Sequence, residues 1–227
     1  MLIVFGLMFI IALAVLPSLW VRAVIARHGA DRTDLPGTGG ELARHLLDAM
    51  GLAGVKVEET ALGDHYDPEA KAVRLLPGRF RGRSLSAAVI AAHEVGHAMQ
   101  DATGSRLLKS RTRLAKTAII IERVGSIVML ASPLLAAIIR HPAGMLMELG
   151  AGLLILGMGV VLHLTTLPVE FDASFNRALP ILEAGRYIPE RDLPAARSIL
   201  RAAAFTYVAA ALMSLINVAR WLRVLRI

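Results

Sequence analysis

Four stretches of the chain are apolar over lengths that suit a lipid bilayer, and between them the polar and apolar positions fall at helix or strand spacing. Residues 1–21 carry no charge. At 1.5 Å per residue they reach about 30 Å, the thickness of the hydrocarbon core. Trp20 suits the interface, and Arg22 and Arg27 follow. A cleaved signal peptide needs a basic region ahead of the apolar run, and none precedes this one. The pattern predicts a retained anchor with its amino terminus outside and Arg22 onward in the cytoplasm. Val124 to Ile139 is the second run. Ala118 to Ile121 extend it backwards past Glu122 and Arg123, which can snorkel. Arg140-His141-Pro142 predicts a tight external turn, and Leu149 to Leu167 is the third run. Its Gly150, Gly152, Gly157 and Gly159 predict close helix packing in a hairpin. Asp192 and Pro194 open a long helix whose part Ala202 to Ala219 is the fourth run, followed by Arg220, Arg223 and Arg226. Simple alternation puts that basic tail outside, against the positive-inside rule. A re-entrant last helix, one packed against the others, or an inverted orientation are the alternatives.

The polar stretches have their own periods. Residues 31–38 form a turn-rich linker. Thr38 and Glu41 predict a capping box, opening a helix with Leu42, Leu46 and Met50 on one face and a stop at Gly51. Val55 to Glu58 and Ala72 to Leu76 read as extended segments. Between them, Gly63-Asp64-His65-Tyr66-Asp67 is either a loop held by Asx turns or an edge strand that binds substrate backbone. Ser84 or Ser86 caps a helix that ends near Gly104. Arg106, Lys109, Arg111, Arg113 and Lys116, interleaved with leucines, predict a basic helix lying on the anionic cytoplasmic leaflet.

The capped helix contains His93-Glu94-Val95-Gly96-His97, the pattern H-E-x-x-H. Histidines four residues apart share one helix face, so both imidazoles reach one Zn²⁺ at about 2.0–2.1 Å. Glu94 is placed to take a proton from water that the metal acidifies. Gly96 costs about 1 kcal/mol of helix propensity against alanine, which points to another element passing close by.

Composition narrows the chemistry. The chain of 227 residues is 56% hydrophobic, and its mean hydropathy of +0.59 favours a membrane protein. Cysteine is absent, so disulfides and thiolate metal sites are excluded. The net charge of +7 fits anionic lipid head groups, and no groove-reading motif or aromatic platform accompanies it, which argues against nucleic acid. A catalytic zinc site needs a third protein ligand and an open position. Gln100 stands where the metzincin pattern requires glycine, so that class is excluded. The candidates are Asp101, Glu122, Glu170 and His65. Asp101 lies about 6 Å further along the helix axis and better suits orienting a ligand than binding metal.

Ala92 to Ala98, with Gly63-Asp64-His65-Tyr66-Asp67-Pro68 upstream and Leu167-Pro168-Val169-Glu170-Phe171-Asp172-Ala173-Ser174 downstream, resembles the YugP-like bacterial membrane zinc metallopeptidases. The resemblance covers nearly the whole chain, including the order of its apolar segments. It implies a neutral zinc metallopeptidase of the gluzincin type with Glu170 as third ligand. Broader relatives carry E-x-x-x-D at that ligand, whereas here the fourth residue after Glu170 is Ser174. Asp172 lies on the opposite side of a regular helix. The group behind a histidine ligand is then Asp101 or the Ser174 hydroxyl. Arg177, two turns from Glu170, either holds a substrate carboxylate or oxyanion or pairs with Glu94 or Asp101. His65, with Tyr66 beside it, is another candidate for the oxyanion.

The expectation is therefore a mainly α integral membrane protein with a zincin-like catalytic helix and a small β element. Its parts are an anchor at residues 1–21, a cytoplasmic catalytic region at 22–117, a transmembrane hairpin at 118–167, a third-ligand region at 168–201 and a membrane-associated end at 202–227. One Zn²⁺ per chain sits on His93, His97 and Glu170, and Glu94 is the general base. The partners are a protein or peptide substrate and the bilayer of the bacterial plasma membrane, crossed several times, with no nucleic acid. The rival is a membrane scaffold or binding protein with structural zinc or none.

Overall fold

The computed structural model describes residues 2–138 and 142–224. Its helices are α1 (Leu2–Arg27), α2 (Gly39–Ala49), α3 (Pro77–Phe80), α4 (Leu85–Ala102), α5 (Arg106–Ile138), α6 (Pro142–Phe171), α7 (Leu179–Ala184) and α8 (Leu193–Val224). The strands are β1 (Lys56–Glu59), β2 (His65–Asp67) and β3 (Ala72–Leu75). A π-helical segment, Asp172–Ala178, joins α6 to α7. The chain is mainly helical with one small sheet. It divides into two compact units, one made of Val15–Lys109 with Leu167–Thr206, the other of the remainder.

The first unit is built around α4. Thirteen of its residues are buried, from Leu85 to Gln100. Ser84 is the cap, accepting from the Ala87 amide at 3.1 Å. α2 packs against it through Leu42, Ala43, Leu46 and Leu47. The predicted capping box is present, Glu41 N donating to Thr38 Oγ1 at 3.2 Å and Thr38 N to Glu41 Oε2 at 2.8 Å. Met50 does not join that face. It lies one residue beyond the last turn and is exposed, while Leu47 takes the core position. Gly51 then adopts φ +73°, where the left-handed conformation ends the helix at no steric cost. Leu75, Val73, Leu182, Ile199 and Leu200 complete the core.

The sheet runs in the order β1-β3-β2, with β1 parallel and β2 antiparallel to β3. Residues 63–67 contain both an edge strand and the start of an Asx turn. His65–Asp67 is the edge strand, and Asp67 Oδ1 accepts from the amides of Glu69 and Ala70 as an Asx turn. Asp64 accepts from Leu76 N at 2.8 Å and pairs with Arg79. Most polar atoms of this motif therefore hold the sheet together.

The long helices differ from expectation in several places. The basic segment from Arg106 is the start of the 33-residue α5 and is no separate surface helix. No glycine or proline interrupts residues 106–124, so nothing ends the helix there. Close approach of α5 and α6 occurs at Gly125, where a Cβ would run into the Ile155 side chain. At Gly150, Gly152 and Gly157 a Cβ would meet nothing within 4 Å among the described residues, while Gly159 faces Ser214 at 3.6 Å. Among the residues whose side chains are described, Gly150–Ala184 and Glu190–Ser214 are long and apolar enough to cross a membrane, while much of the first two apolar runs lies outside those residues. Arg140, His141 and Arg226 lie outside the described residues.

Candidate metal centre

His93 and His97 stand one turn apart on α4, their rings edge to face with centroids 4.7 Å apart. The carboxylate of Glu170, from the end of α6, closes on both. Its Oε2 lies 3.2 Å from His93 Nε2 and 3.5 Å from His97 Nε2. Two nitrogens and an oxygen bound tetrahedrally to zinc at about 2.0–2.1 Å would be separated by about 3.3 Å. The two separations from the Glu170 oxygen thus fit zinc, and the set of two histidines and one glutamate is a type found at catalytic zinc sites. Among the described residues this is the one group of three or more donors that close together. Asp101, Glu122 and His65, the other candidates for third ligand, are not part of it.

Gly96 makes the closure possible. A Cβ there would lie 2.6 Å from the Ala173 carbonyl oxygen, so α4 and the π-helical segment touch backbone to backbone between the two histidines. A Gly96→Ala variant gains about 1 kcal/mol of helix propensity. Overpacking against a backbone atom that cannot rotate away costs about 1–3 kcal/mol. The expected result is a lower thermal midpoint and weaker zinc binding; a variant more stable than the parent with unchanged zinc affinity would show that the close approach is dispensable.

Each imidazole is held from behind. Ser174 Oγ lies 3.0 Å from His93 Nδ1, and Gln100 Oε1 lies 2.9 Å from His97 Nδ1. Of the two groups weighed behind a histidine, the Ser174 hydroxyl is the one in place, and Asp101 is not. Asp101 instead accepts from the Tyr66 hydroxyl at 2.7 Å and from Lys71 Nζ at 2.5 Å. Burial and the Asp101 bond push the Tyr66 phenol up, so it stays a neutral donor that ties β2 to α4. Asp101 itself resists protonation: burial favours the acid, but Lys71 and Tyr66 outweigh it.

Arg177 pairs with neither Glu94 nor Asp101; its Nε donates to Asp172 Oδ2 at 2.9 Å. Counting at 3.6 residues per turn placed Arg177 over Glu170, but the chain between them is π-helical, with wider turns. The same segment brings Asp172 into contact with Gln100, one residue removed from His97. Gln100 was legible only as a glutamine three residues after the second histidine, a spacing that brings side chains together on a helix. His65 sits in β2 with Nδ1 2.8 Å from Gly63 O.

Glu94 is 6% exposed. It interacts electrostatically with His97 and with Arg79, a cation that the sequence reading did not single out. Burial pushes the Arg79 guanidinium down, and the Glu94 charge works against that. For His97, burial disfavours the cation, but the bond and charge of Glu170, with Glu94 and Gln100, lift it to about 9. A proton must therefore leave His97 before its Nε2 can bind a metal. Apparent zinc affinity should rise about tenfold per pH unit from neutrality toward pH about 9 and flatten above it. For the metal-free protein the sign is opposite. The stabilisation is complete below the unfolded histidine value of about 6.5 and is lost as pH rises through about 9. Chelator competition across pH measures the first effect; a flat profile there would contradict the His97–Glu170 pairing.

The model of a family described as "Putative neutral zinc metallopeptidase" matches residues 2–226. A protein of Bacillus subtilis (strain 168) called "Putative membrane protease YugP" is 38% identical over 189 residues, covering 82% of this chain and 80% of that one. No solved structure matches the chain.

Proposed function

The chain belongs to the neutral zinc metallopeptidase family matched along residues 2–226, and from that membership we propose that it is a membrane-embedded zinc endopeptidase with Glu94 as its general base. The observation that carries the proposal is the convergence of one ligand atom each from His93, His97 and Glu170 within 4.8 Å of one another, with a buried glutamate next to His93 on the same helix. His93, His97 and Glu170 would hold one Zn²⁺ per chain, which would supply Lewis acidity at the site.

The protein's own groups do the rest. Ser174 and Gln100 hold the two rings so that both Nε2 atoms face Glu170. Glu94 takes the proton of the attacking water and passes it to the leaving amine, a role typically worth about 10²–10⁴-fold. The edge strand β2 offers a rail for an extended substrate backbone, and His65 is the candidate to hold the oxyanion. Arg177, engaged by Asp172, is withdrawn from that role. Turnover of a peptide by the parent and by Glu94→Gln at equal zinc content tests the proposal.

The substrate class follows from location. We place the protein in the bacterial plasma membrane, with α1, the apolar part of α5, Leu149–Leu167 and Ala202–Ala219 crossing it, and the catalytic unit on the cytoplasmic face. The uncharged residues 1–21 followed by Arg22 and Arg27 support this orientation. Substrates are then membrane proteins or membrane-proximal peptides. Leu62 is 90% exposed in a chain without cysteine. A Leu62→Cys variant should react with impermeant maleimide only in inverted vesicles. Labelling in intact cells would reverse the orientation.

A further inference from the structure

Gln100 is fully buried, at 0% exposure, and every polar atom of its side chain is engaged. Nε2 donates to Val169 O at 2.8 Å and to Asp172 Oδ2 at 2.8 Å. Both are acceptors only, so the amide can point in one direction alone. That leaves Oε1 facing His97 Nδ1 at 2.9 Å, and the oxygen can only accept there. His97 must carry its proton on Nδ1 and present Nε2 toward Glu170. Asp172 is fixed in turn by Arg177 Nε at 2.9 Å and Asn176 Nδ2 at 3.0 Å. Val169 precedes Glu170 in the chain, so the same amide also anchors the backbone that carries the third ligand.

We propose that Gln100 is a positioning residue for the metal centre: it sets the tautomer of His97 and clamps the Glu170 backbone, with Asp172 acting through it. The inference rests on the zinc site proposed above. The two histidines are thus oriented differently, His93 by a hydroxyl and His97 by an amide whose own direction is dictated by a carboxylate. A negative charge sits one residue back from His97. A carboxylate at position 100 would face Asp172 across the same 2.8 Å and repel it, which gives a physical reason for an amide here.

The test is a double-mutant cycle with Gln100→Leu and Asp172→Ala, read as the zinc dissociation constant by chelator competition. Removing a partner of this kind typically costs about 10–100-fold in metal affinity. Gln100→Leu should lose at least about tenfold, Asp172→Ala should lose several-fold in the parent, and Asp172→Ala should lose nothing further in the leucine background. A loss under tenfold for Gln100→Leu, or an equal Asp172→Ala effect in both backgrounds, overturns the proposal. Should the leucine variant fail to fold, histidine ¹⁵N spectra of the zinc-loaded parent decide. His97 is expected to be bound through Nε2 with a slowly exchanging proton on Nδ1; binding through Nδ1, or a rapidly exchanging Nδ1 proton, overturns it. A parent protein that binds no zinc would instead defeat the metal-site reading itself, so the two failures are distinct.

Discussion

Glu94→Gln is expected to lower peptide turnover by about 10²–10⁴-fold while zinc content and fold stay as in the parent. The magnitude is that of general-base catalysis. The amide has nearly the shape of the carboxylate, so a side chain that is 6% exposed can be replaced without a cavity or a clash. It cannot accept the proton of the attacking water. Metal binding should be spared because the proposed donors are His93, His97 and Glu170, and Glu94 is not among them. The variant does remove a negative charge that interacts with His97 and Arg79, so zinc content must be matched before rates are compared. A quenched peptide and a membrane-embedded substrate are the readouts. Cleavage by the glutamine variant at the parent's rate would remove Glu94 from the mechanism. Absence of cleavage by either protein, with zinc bound, would favour a binding protein with a structural metal.

Loss of Glu170 should be the most damaging change to the metal itself. Its Oε2 is the atom within 3.5 Å of both imidazole Nε2 atoms, and the residue is 5% exposed. Glu170→Ala leaves two neutral donors and no charge to offset the divalent cation. The affinity should fall by more than the roughly 10–100-fold that accompanies loss of a ligand's outer partner, so that protein purified by dialysis carries essentially no zinc. His93→Ala should behave alike. Glu170→Ala should also move the pH dependence of any residual binding to lower pH, because the Glu170 bond and charge are the largest influences raising His97. Zinc analysis by mass spectrometry of the dialysed proteins gives the answer. Full retention after Glu170→Ala would mean that the third ligand lies elsewhere, with Glu122 or His65 the first to test.

Local signals carried much of the fold. The capping box at Thr38 and Glu41, the Ser84 cap, the stop at Gly51 and the strands near residues 56–59 and 72–75 depend on neighbours a few residues apart, and these the sequence displays directly. So does the pairing of His93 with His97, because a helix brings i and i+4 together whatever surrounds it. Gly96 announced a close approach, though not that its partner would be the Ala173 carbonyl. Glu170 was distinguished from Asp101, Glu122 and His65 only by a family resemblance, since nothing local joins residues 77 positions apart in the chain.

The supporting shell needed the tertiary structure. The π-helical segment at residues 172–178 shifts the phase of the side chains that follow Asp172. Counting at the regular helical period therefore misplaced Arg177. Asp101 shares a helix face with the histidines, yet Tyr66 and Lys71, brought in by the sheet, claim its carboxylate. Gln100 served in the sequence only to exclude the metzincin pattern, and its role became visible when Val169 and Asp172 arrived to satisfy its amide. Sequence by itself determined the helix that carries His93 and His97 and the pairing of the two imidazoles on one face, because both arise from 3.6 residues per turn. Only the packing of the π-helical segment and the sheet against that helix decided which side chains hold the ligands, because a buried polar group takes whichever partner the fold delivers to it.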